Sequence, residues 1–269
     1  MLQGKVLTLI GAGKMGEALL GGFLEAGVVG ASNVILSDVD VGRLEALRDR
    51  FGVETTQSNN EAIARGDIVL LAVKPQQMSE VVEEAKESFG DDSLVISIVA
   101  GAKTEKIAEL AGKNIPVIRV MPNTPALVGK AMSVVSRGAH AKDEDALVAL
   151  ELFSSVGEAV ELPEDLQNQA TAISGSGPAY FFLMTESLIR AAEDAGIDSK
   201  VAKKLVVQTM AGSVALLQST GAEPGELRKA VTSPGGTTEA ALKVFEEFGF
   251  DQMIQGAIGA AIKRAQELA

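Results

Sequence analysis

A glycine-rich turn near the start of the sequence constrains the fold more than any other feature. Gly11, Gly13 and Gly16 follow the apolar run 6–10 and precede the segment 17–24, whose apolar spacing predicts a helix. A G-x-G-x-x-G pattern between a strand and a helix is typical of dinucleotide-binding folds. The first glycine permits the tight turn, the second lets a pyrophosphate approach the backbone, and the third lets the helix pack on the strand. We therefore predict a dinucleotide site here, against the alternative of a turn that serves packing alone. The predicted contact residues are Gly11, Ala12, Gly13, Lys14, Met15 and Gly16.

The rest of the first 162 residues alternates apolar runs with helical spacing. Strands are predicted at 34–36, 68–73, 94–98, 117–120, 132–135 and 158–161, and helices at 43–47, 80–89, 104–110 and 143–155. Strands that alternate with helices form a parallel sheet covered by helices on both faces. We therefore predict an α/β protein whose residues 1–162 form a Rossmann-type, doubly wound dinucleotide-binding domain.

The sequence from 163 to 269 contains no strand pattern and predicts an all-helical second domain. Small residues are concentrated at 211–213 and 256–261, which allows helix backbones to approach closely. Aromatic residues make up only 4% of the chain, so such a bundle has few bulky side chains to fill its own core. We expect it to complete that core against a second subunit; an ordinary monomeric helical cap is the alternative.

Composition narrows the chemistry that the chain can perform. The formal net charge is −12, which disfavours nucleic-acid binding because that affinity depends largely on Lys and Arg. There is no Cys and the only His is His140, so metal centres built from Cys or His and thiol nucleophiles are excluded. We read His140 as an exposed surface residue. We find neither a signal-peptide pattern nor an apolar run of ~18 residues, so we predict a cytoplasmic protein without a membrane partner. A bound cofactor is then expected to carry the difficult chemistry.

The end of the second predicted strand carries a mixed signal about that cofactor. A carboxylate at this position hydrogen-bonds the ribose of NAD and repels the 2′-phosphate of NADP. Asp38 therefore favours NADH, whereas Ser37 and Arg43 are able to hold a phosphate. Asp38 has a second interpretation as the cap of the following helix.

Two later loops also follow strands and are predicted to contact the cofactor, because ligands bind at the carboxyl ends of parallel strands. In the first loop Lys74 is able to reach a ribose or phosphate. In the second, two prolines stiffen the chain around Asn123, which suits the nicotinamide side of a site. A plain structural turn is the alternative for each. The predicted contact residues are Ala72, Val73, Lys74, Pro75, Met121, Pro122 and Asn123.

The stretch 231–239 is the most informative part of the second half. A Pro-Gly-Gly turn at 234–236 leads into a helix predicted to start near Thr238. Free N–H groups and the positive end of the helix dipole at such a position favour a carboxylate, with the dipole worth ~0.3–1 kcal/mol. A Ser/Thr cap with a flexible turn is the alternative.

With these motifs in order, the sequence resembles the pyrroline-5-carboxylate reductase family over nearly its whole length. The matching motifs are GAGKMG (11–16), AVKP (72–75), VMPNTP (120–125), SGSGPAY (174–180) and VTSPGGTT (231–238). The resemblance implies hydride transfer from NADPH or NADH to the C=N bond of 1-pyrroline-5-carboxylate, which gives L-proline. It also implies that the helical domain dimerises, that dimers often form a decameric ring, and that the partner subunit contributes the 233–238 loop to the site.

The resemblance further suggests roles for the loop residues. Thr238 is the candidate to hydrogen-bond the ring nitrogen, and Gly235, Gly236 and Thr237 would hold the substrate carboxylate through their N–H groups, beside Ser233. The family commonly prefers NADPH, whereas Asp38 indicates NADH.

Two other functions remain open at this stage. One is a dehydrogenase of the β-hydroxyacid type, which uses a catalytic lysine of the helical domain; Lys200, Lys203 and Lys204 are the available candidates. The other is a non-catalytic NADPH-sensing Rossmann protein, which would not need the 234–238 loop.

Overall fold

The structure, a computed structural model, describes residue 2 and residues 4–268. One eight-stranded sheet is flanked by helices in the first part of the chain, and helices alone follow it. The strands are β1 (Leu7–Ile10), β2 (Val34–Ser37), β3 (Glu54–Thr56), β4 (Ile68–Leu71), β5 (Leu94–Ser97), β6 (Val117–Met121), β7 (Ala131–Arg137) and β8 (Gly157–Glu161). The helices are α1 (Lys14–Glu25), α2 (Val41–Phe51), α3 (Asn59–Arg65), α4 (Pro75–Glu84), α5 (Thr104–Ala111), α6 (Asp143–Ser154), α7 (Gln167–Ala170), α8 (Gly177–Asp194), α9 (Ser199–Thr220), α10 (Pro224–Ala230), α11 (Thr237–Glu247) and α12 (Phe250–Leu268).

The strand order is β3-β2-β1-β4-β5-β6-β7-β8, so the direction of winding reverses between β1 and β4. Neighbouring strands are parallel except β6 and β7, which pair antiparallel. Every residue of β1, β2, β4 and β5 is buried. This burial on both faces explains why these strands read as continuous apolar runs. The predicted doubly wound α/β fold is confirmed, while β3 and α3 were not predicted because both are short and polar.

The core lies on the two faces of the sheet. On one face, Phe23 of α1 meets Phe153 of α6 edge to face, with ring centroids 5.7 Å apart. On the other face Phe89 packs among residues of α3, α4 and α5. Each fully buried phenylalanine contributes roughly 1.5–3 kcal/mol to stability by leaving water. These two cores fix the sheet and therefore the positions of its strand ends.

The chain forms two compact units, one of Met1–Pro178 with Ala261–Ala269 and the other of Ala179–Ala260. Between residues 179 and 268 only Ala202 is buried, while many large apolar side chains of the same helices are exposed. The predicted domain boundary at residue 162 is a different division, set by where strands give way to helices, and it stays a prediction. None of the helices in the described part of the chain is long and apolar enough to cross a membrane.

Candidate functional site

The glycine turn joins β1 to α1 at the carboxyl edge of the sheet, beside the point where the strand order reverses. Gly11 has φ +101°, and a Cβ there would lie 2.8 Å from the Ala72 carbonyl. A Cβ on Gly16 would lie 2.5 Å from the Gly11 carbonyl oxygen, whereas one on Gly13 would meet nothing within 4 Å. Gly13 precedes α1 without any side-chain cap on the helix. The turn therefore leaves open space at Gly13 and an uncapped start of α1, and its contact with a pyrophosphate stays a prediction.

Asp38 and Arg43 both form hydrogen bonds to the backbone of Ala12 in this turn. The Ala12 N–H donates to Asp38 Oδ2 at 2.7 Å, and Arg43 Nε donates to the Ala12 carbonyl oxygen. The Arg43 guanidinium also pairs with Glu17 at 2.7 Å. Both side chains thus brace the turn, and the Asp38 carboxylate stays at the end of β2, where an adenosine ribose is expected.

The hydrogen bonds of Ser37 and Asp40 bear on two interpretations of the end of β2, the helix cap and the phosphate contact. Asp40 caps α2, since its side chain accepts a hydrogen bond from the Arg43 N–H, so Asp38 is not the cap of that helix. Ser37 is fully buried and donates to Asn59 Oδ1 at 2.8 Å. Ser37 is thus engaged inside the chain, and Arg43 pairs with Glu17 while its side chain stays 32% exposed.

The loops after β4 and β6 lie at the same edge. Lys74 is exposed and Pro75 begins α4, so the residues 72–75 form a short rigid connection, and the Lys74 ammonium group has no partner among the described residues. After β6, Pro122 and Asn123 are buried. Asn123 uses both ends of its amide within the chain: it accepts from the Met132 N–H at 2.9 Å and donates to the Ser174 carbonyl at 3.0 Å. Asn123 therefore holds its loop in place.

Ser174 belongs to a π-helical turn that the sequence did not reveal. Residues Thr171–Gly175 form a π-helical turn between α7 and α8, in which the Ser176 N–H donates to the Thr171 carbonyl at 2.8 Å. A Cβ on Gly175 would lie 3.3 Å from Met121 Cε. The SGSG segment is thus packed directly on the end of β6, and such turns are frequent at functional sites. The only sequence signal was the run of small residues at 174–177.

The 233–238 segment consists of a turn at 233–236 and the first two residues of α11, which begins at Thr237. Gly235 has φ +70°, and its N–H donates to Glu239 Oε2 at 2.9 Å. The Gly236 N–H donates to the Ser233 carbonyl at 3.0 Å. Two of the three N–H groups predicted to hold a carboxylate are therefore used inside the chain in this structure, and one of them already binds a carboxylate, that of Glu239.

Thr238 is the second residue of α11 and is half-buried. Gly236 is the N-cap of this helix, so Thr238 is not its capping residue. Its hydroxyl has no hydrogen-bond partner among the described residues. These properties leave the hydroxyl available for a ligand.

The remaining candidates lie on the surface. Lys200, Lys203 and Lys204 are exposed on α9, and His140 is exposed between β7 and α6. In the part of the chain that the structure describes, no group of three or more His, Cys, Asp or Glu side chains is arranged to hold a metal ion.

Comparisons with known proteins identify the family. Residues 164–268 match the family model described as pyrroline-5-carboxylate reductase dimerisation, and residues 6–101 match one described as NADP oxidoreductase, coenzyme F420-dependent. The pyrroline-5-carboxylate reductase of Methanosarcina acetivorans is 39% identical over 267 residues, which cover 99% of each chain. The chain belongs to the pyrroline-5-carboxylate reductase family. The family predicted from the sequence is therefore confirmed, and the predicted reduction of pyrroline-5-carboxylate to proline is the reaction for which these relatives are named.

Solved structures of pyrroline-5-carboxylate reductases share the fold over almost the whole length. The enzyme from Coxiella burnetii is 34% identical with a TM-score of 0.94, covering 98% of both chains. The enzyme from Plasmodium falciparum, solved with NADP bound, is 30% identical with a TM-score of 0.88, covering 99% of this chain and 98% of that one. One of these relatives thus binds NADP, and the family model that matches the helical part is described as a dimerisation domain.

Proposed function

We propose that this pyrroline-5-carboxylate reductase transfers a hydride from NADH or NADPH to the C=N bond of 1-pyrroline-5-carboxylate and releases L-proline. The observation that carries the proposal is the uncapped start of α1 with open space at Gly13, in a chain of this family. Backbone N–H groups and the helix dipole stabilise the pyrophosphate there without a net positive charge. The contacts predicted at 11–16, 37–38, 72–75 and 121–123 belong to this proposal.

The reaction does not require a strong acid among the side chains. A cyclic imine is readily protonated near neutral pH, and the resulting iminium carbon accepts a hydride without a strong acid. The nicotinamide, when bound, supplies that hydride. The chain binds and orients the substrate and excludes water from it. We assign to the Thr238 hydroxyl a hydrogen bond to the ring nitrogen, and to the N–H groups of 235–237 the substrate carboxylate, beside Ser233.

Within the nicotinamide cofactors, the proposal favours NADH. Asp38 is fixed beside the turn by the Ala12 N–H, and a 2′-phosphate would bring two further negative charges to it. Arg43, the cation that the sequence offers for a 2′-phosphate, is already paired with Glu17. The side chains at the end of β2 therefore support a ribose with a free 2′-hydroxyl.

The proposed active assembly is at least a dimer. The exposed apolar helices of 179–260 support association with a second copy, and the partner's 233–238 loop then completes the site. Growth of dimers into a decameric ring follows from the family resemblance, and sedimentation of the full-length protein tests it. A cytoplasmic location and the absence of nucleic-acid and membrane partners stay predictions.

The experiment that tests the function is an assay of NADH and NADPH oxidation with pyrroline-5-carboxylate, beside a panel of β-hydroxyacids with the oxidised cofactors. We expect saturable turnover with the cyclic imine and none with the hydroxyacids. Lys203→Ala provides a control. If the protein were a dehydrogenase that used this lysine, the variant would lose activity, whereas a reductase with the same substitution would keep it. Tight cofactor binding without turnover of any substrate would support a sensor and reject the enzyme.

A further inference from the structure

A small cavity of about 190 Å³ lies at the carboxyl ends of β5 and β6. Its walls are the middle of the β5–α5 loop, the end of β6, α7 with the π-helical turn, and the last turns of α12. All of these belong to the larger compact unit. The polar side chains in the walls are those of Arg119, Asn168, Thr171, Ser176 and Arg264. At roughly 30 Å³ per water molecule, the volume suits a ligand of a few heavy atoms.

Arg119 is the most unusual of these residues because its charge is almost completely removed from solvent. It is 4% exposed, and burial lowers the pKa of its guanidinium group, although an arginine stays charged in proteins. Its one partner among the described residues is Glu164, and the nitrogen–oxygen distance is a long 3.5 Å. A guanidinium group has five N–H donors, and a buried charge that is incompletely paired costs free energy.

Glu164 balances the charge of Arg119 but uses few of its five N–H donors, because the carboxylate is held by Thr104. Glu164 Oε1 accepts from the Thr104 N–H at 2.9 Å, and Oε2 accepts from the Thr104 hydroxyl at 2.6 Å. The carboxylate is thus held toward α5, and Glu164 does not line the cavity. Arg119 therefore faces the cavity with donors that the described part of the chain does not use.

Arg264 adds a second positive charge to the same walls. The Arg264 side chain is 66% exposed and pairs with Glu267 at 2.8 Å, and Glu267 does not line the cavity. No Asp or Glu is among the described residues that line it. In addition, the side chains of Asn168 and Ser176 have no hydrogen-bond partner in the described parts of the chain. In a protein of net charge −12, a cavity with two arginines and no acidic side chain in its described walls favours anions.

We propose that this cavity binds one small oxyanion, a carboxylate or a phosphate group, between Arg119 and Arg264, with Asn168 and Ser176 as further donors. Planar guanidinium groups match the oxygens of both anions. The site is separate from the glycine turn, which binds its anion through backbone N–H groups. Met121, one of the proposed cofactor contacts, also lines the cavity, and the anion proposed here is distinct from the substrate carboxylate assigned to 235–237.

Calorimetric titration of the full-length protein tests the site. Inorganic phosphate and sodium acetate are the probes, in the presence of saturating NADH and at constant ionic strength set with chloride. We expect one phosphate or one acetate ion per chain, and the tighter of the two identifies the ligand class. Arg264→Gln should weaken this binding about tenfold, and Ser176→Ala should weaken it about threefold. Lys263→Gln removes an exposed charge from the adjacent position of α12 and should leave binding unchanged.

Three results would overturn the proposal. They are the absence of binding by both probes, wild-type binding in Arg264→Gln, and equal losses in Arg264→Gln and Lys263→Gln. Melting temperatures of the three variants, measured without the probes, confirm that each is folded. Arg264 and Ser176 are partly or fully accessible, so we expect these substitutions to be tolerated.

Discussion

At the scale of single residues, Gly13 separates cofactor binding from folding. It is exposed, has φ −62° and ψ 176°, and faces open space, so a side chain fits the fold but occupies the volume of the pyrophosphate. We expect Gly13→Val to lower NADH affinity at least a hundredfold and to cost no more than about 1 kcal/mol of stability. Calorimetry with NADH and thermal denaturation measure the two effects. The NADH affinity of Gly13→Ala should lie between those of the wild type and Gly13→Val. An unchanged NADH affinity in Gly13→Val would mean that the cofactor binds elsewhere.

Asp38 is expected to set the choice between NADH and NADPH. Asp38→Asn removes the charge while its amide oxygen still accepts from the Ala12 N–H. The ratio of kcat/KM for NADPH to that for NADH should rise about tenfold, which corresponds to ~1.4 kcal/mol. Glu45→Gln removes an exposed charge from α2 and serves as the control. An unchanged ratio in Asp38→Asn would mean that Asp38 only braces the turn.

Thr238 is expected to affect turnover more than stability. It does not cap α11, and its hydroxyl, which no described residue binds, is available to the substrate nitrogen. A positioned proton-transfer group is worth ~10²–10⁴-fold in general, and a substrate that arrives protonated favours the low end of that range. We therefore expect Thr238→Ala to reduce kcat about a hundredfold with little change in NADH affinity. Thr232→Ala, which removes a hydroxyl bonded to the Arg228 carbonyl, is the control. A lower melting temperature with near-normal kcat would assign Thr238 a structural role.

At the scale of elements, the start of α11 already holds a carboxylate. Glu239 reaches back to the Gly235 N–H at 2.9 Å and pairs with Lys243 at 3.6 Å. A substrate carboxylate at this helix start would compete with Glu239 and be repelled by it. We expect Glu239→Gln to lower the KM for pyrroline-5-carboxylate about threefold at unchanged kcat, a loss of repulsion of ~0.6 kcal/mol. Glu247→Gln, at the far end of the helix, is the control. A higher KM would instead mean that Glu239 holds the loop in its binding conformation.

At the scale of the whole molecule, the helices of 179–260 bury too little to be stable alone. Only Ala202 is buried in this unit, while Phe181, Phe182 and Leu183 are each at least 60% exposed. Contiguous exposed apolar surface of this kind marks an interface. A family model for dimerisation covers these helices, so the missing core is expected to come from a second copy.

Leu183→Glu should therefore weaken self-association of the full-length chain. A charge on this face would be buried without a partner in the dimer, which costs several kcal/mol. Sedimentation over a range of concentrations should detect a shift toward monomer and a lower melting temperature. Leu147→Glu makes the same change at an exposed leucine of α6 and should leave the assembly intact. If both variants sediment like the wild type, the interface lies away from Leu183.

The sequence by itself determined the fold class, the strand–turn–helix at 11–16 and the family. These follow from local patterns: strands buried on both faces read as apolar runs, and three glycines in fixed spacing suit one kind of turn. Residues that are distant in the chain had partners that only the tertiary structure decided. Asp38 binds Ala12 across 26 residues, Asn123 binds Ser174 across 51, and Arg119 pairs with Glu164 across 45. Strand order and strand direction select such partners, including the antiparallel pairing of β6 with β7, and no local pattern encodes them.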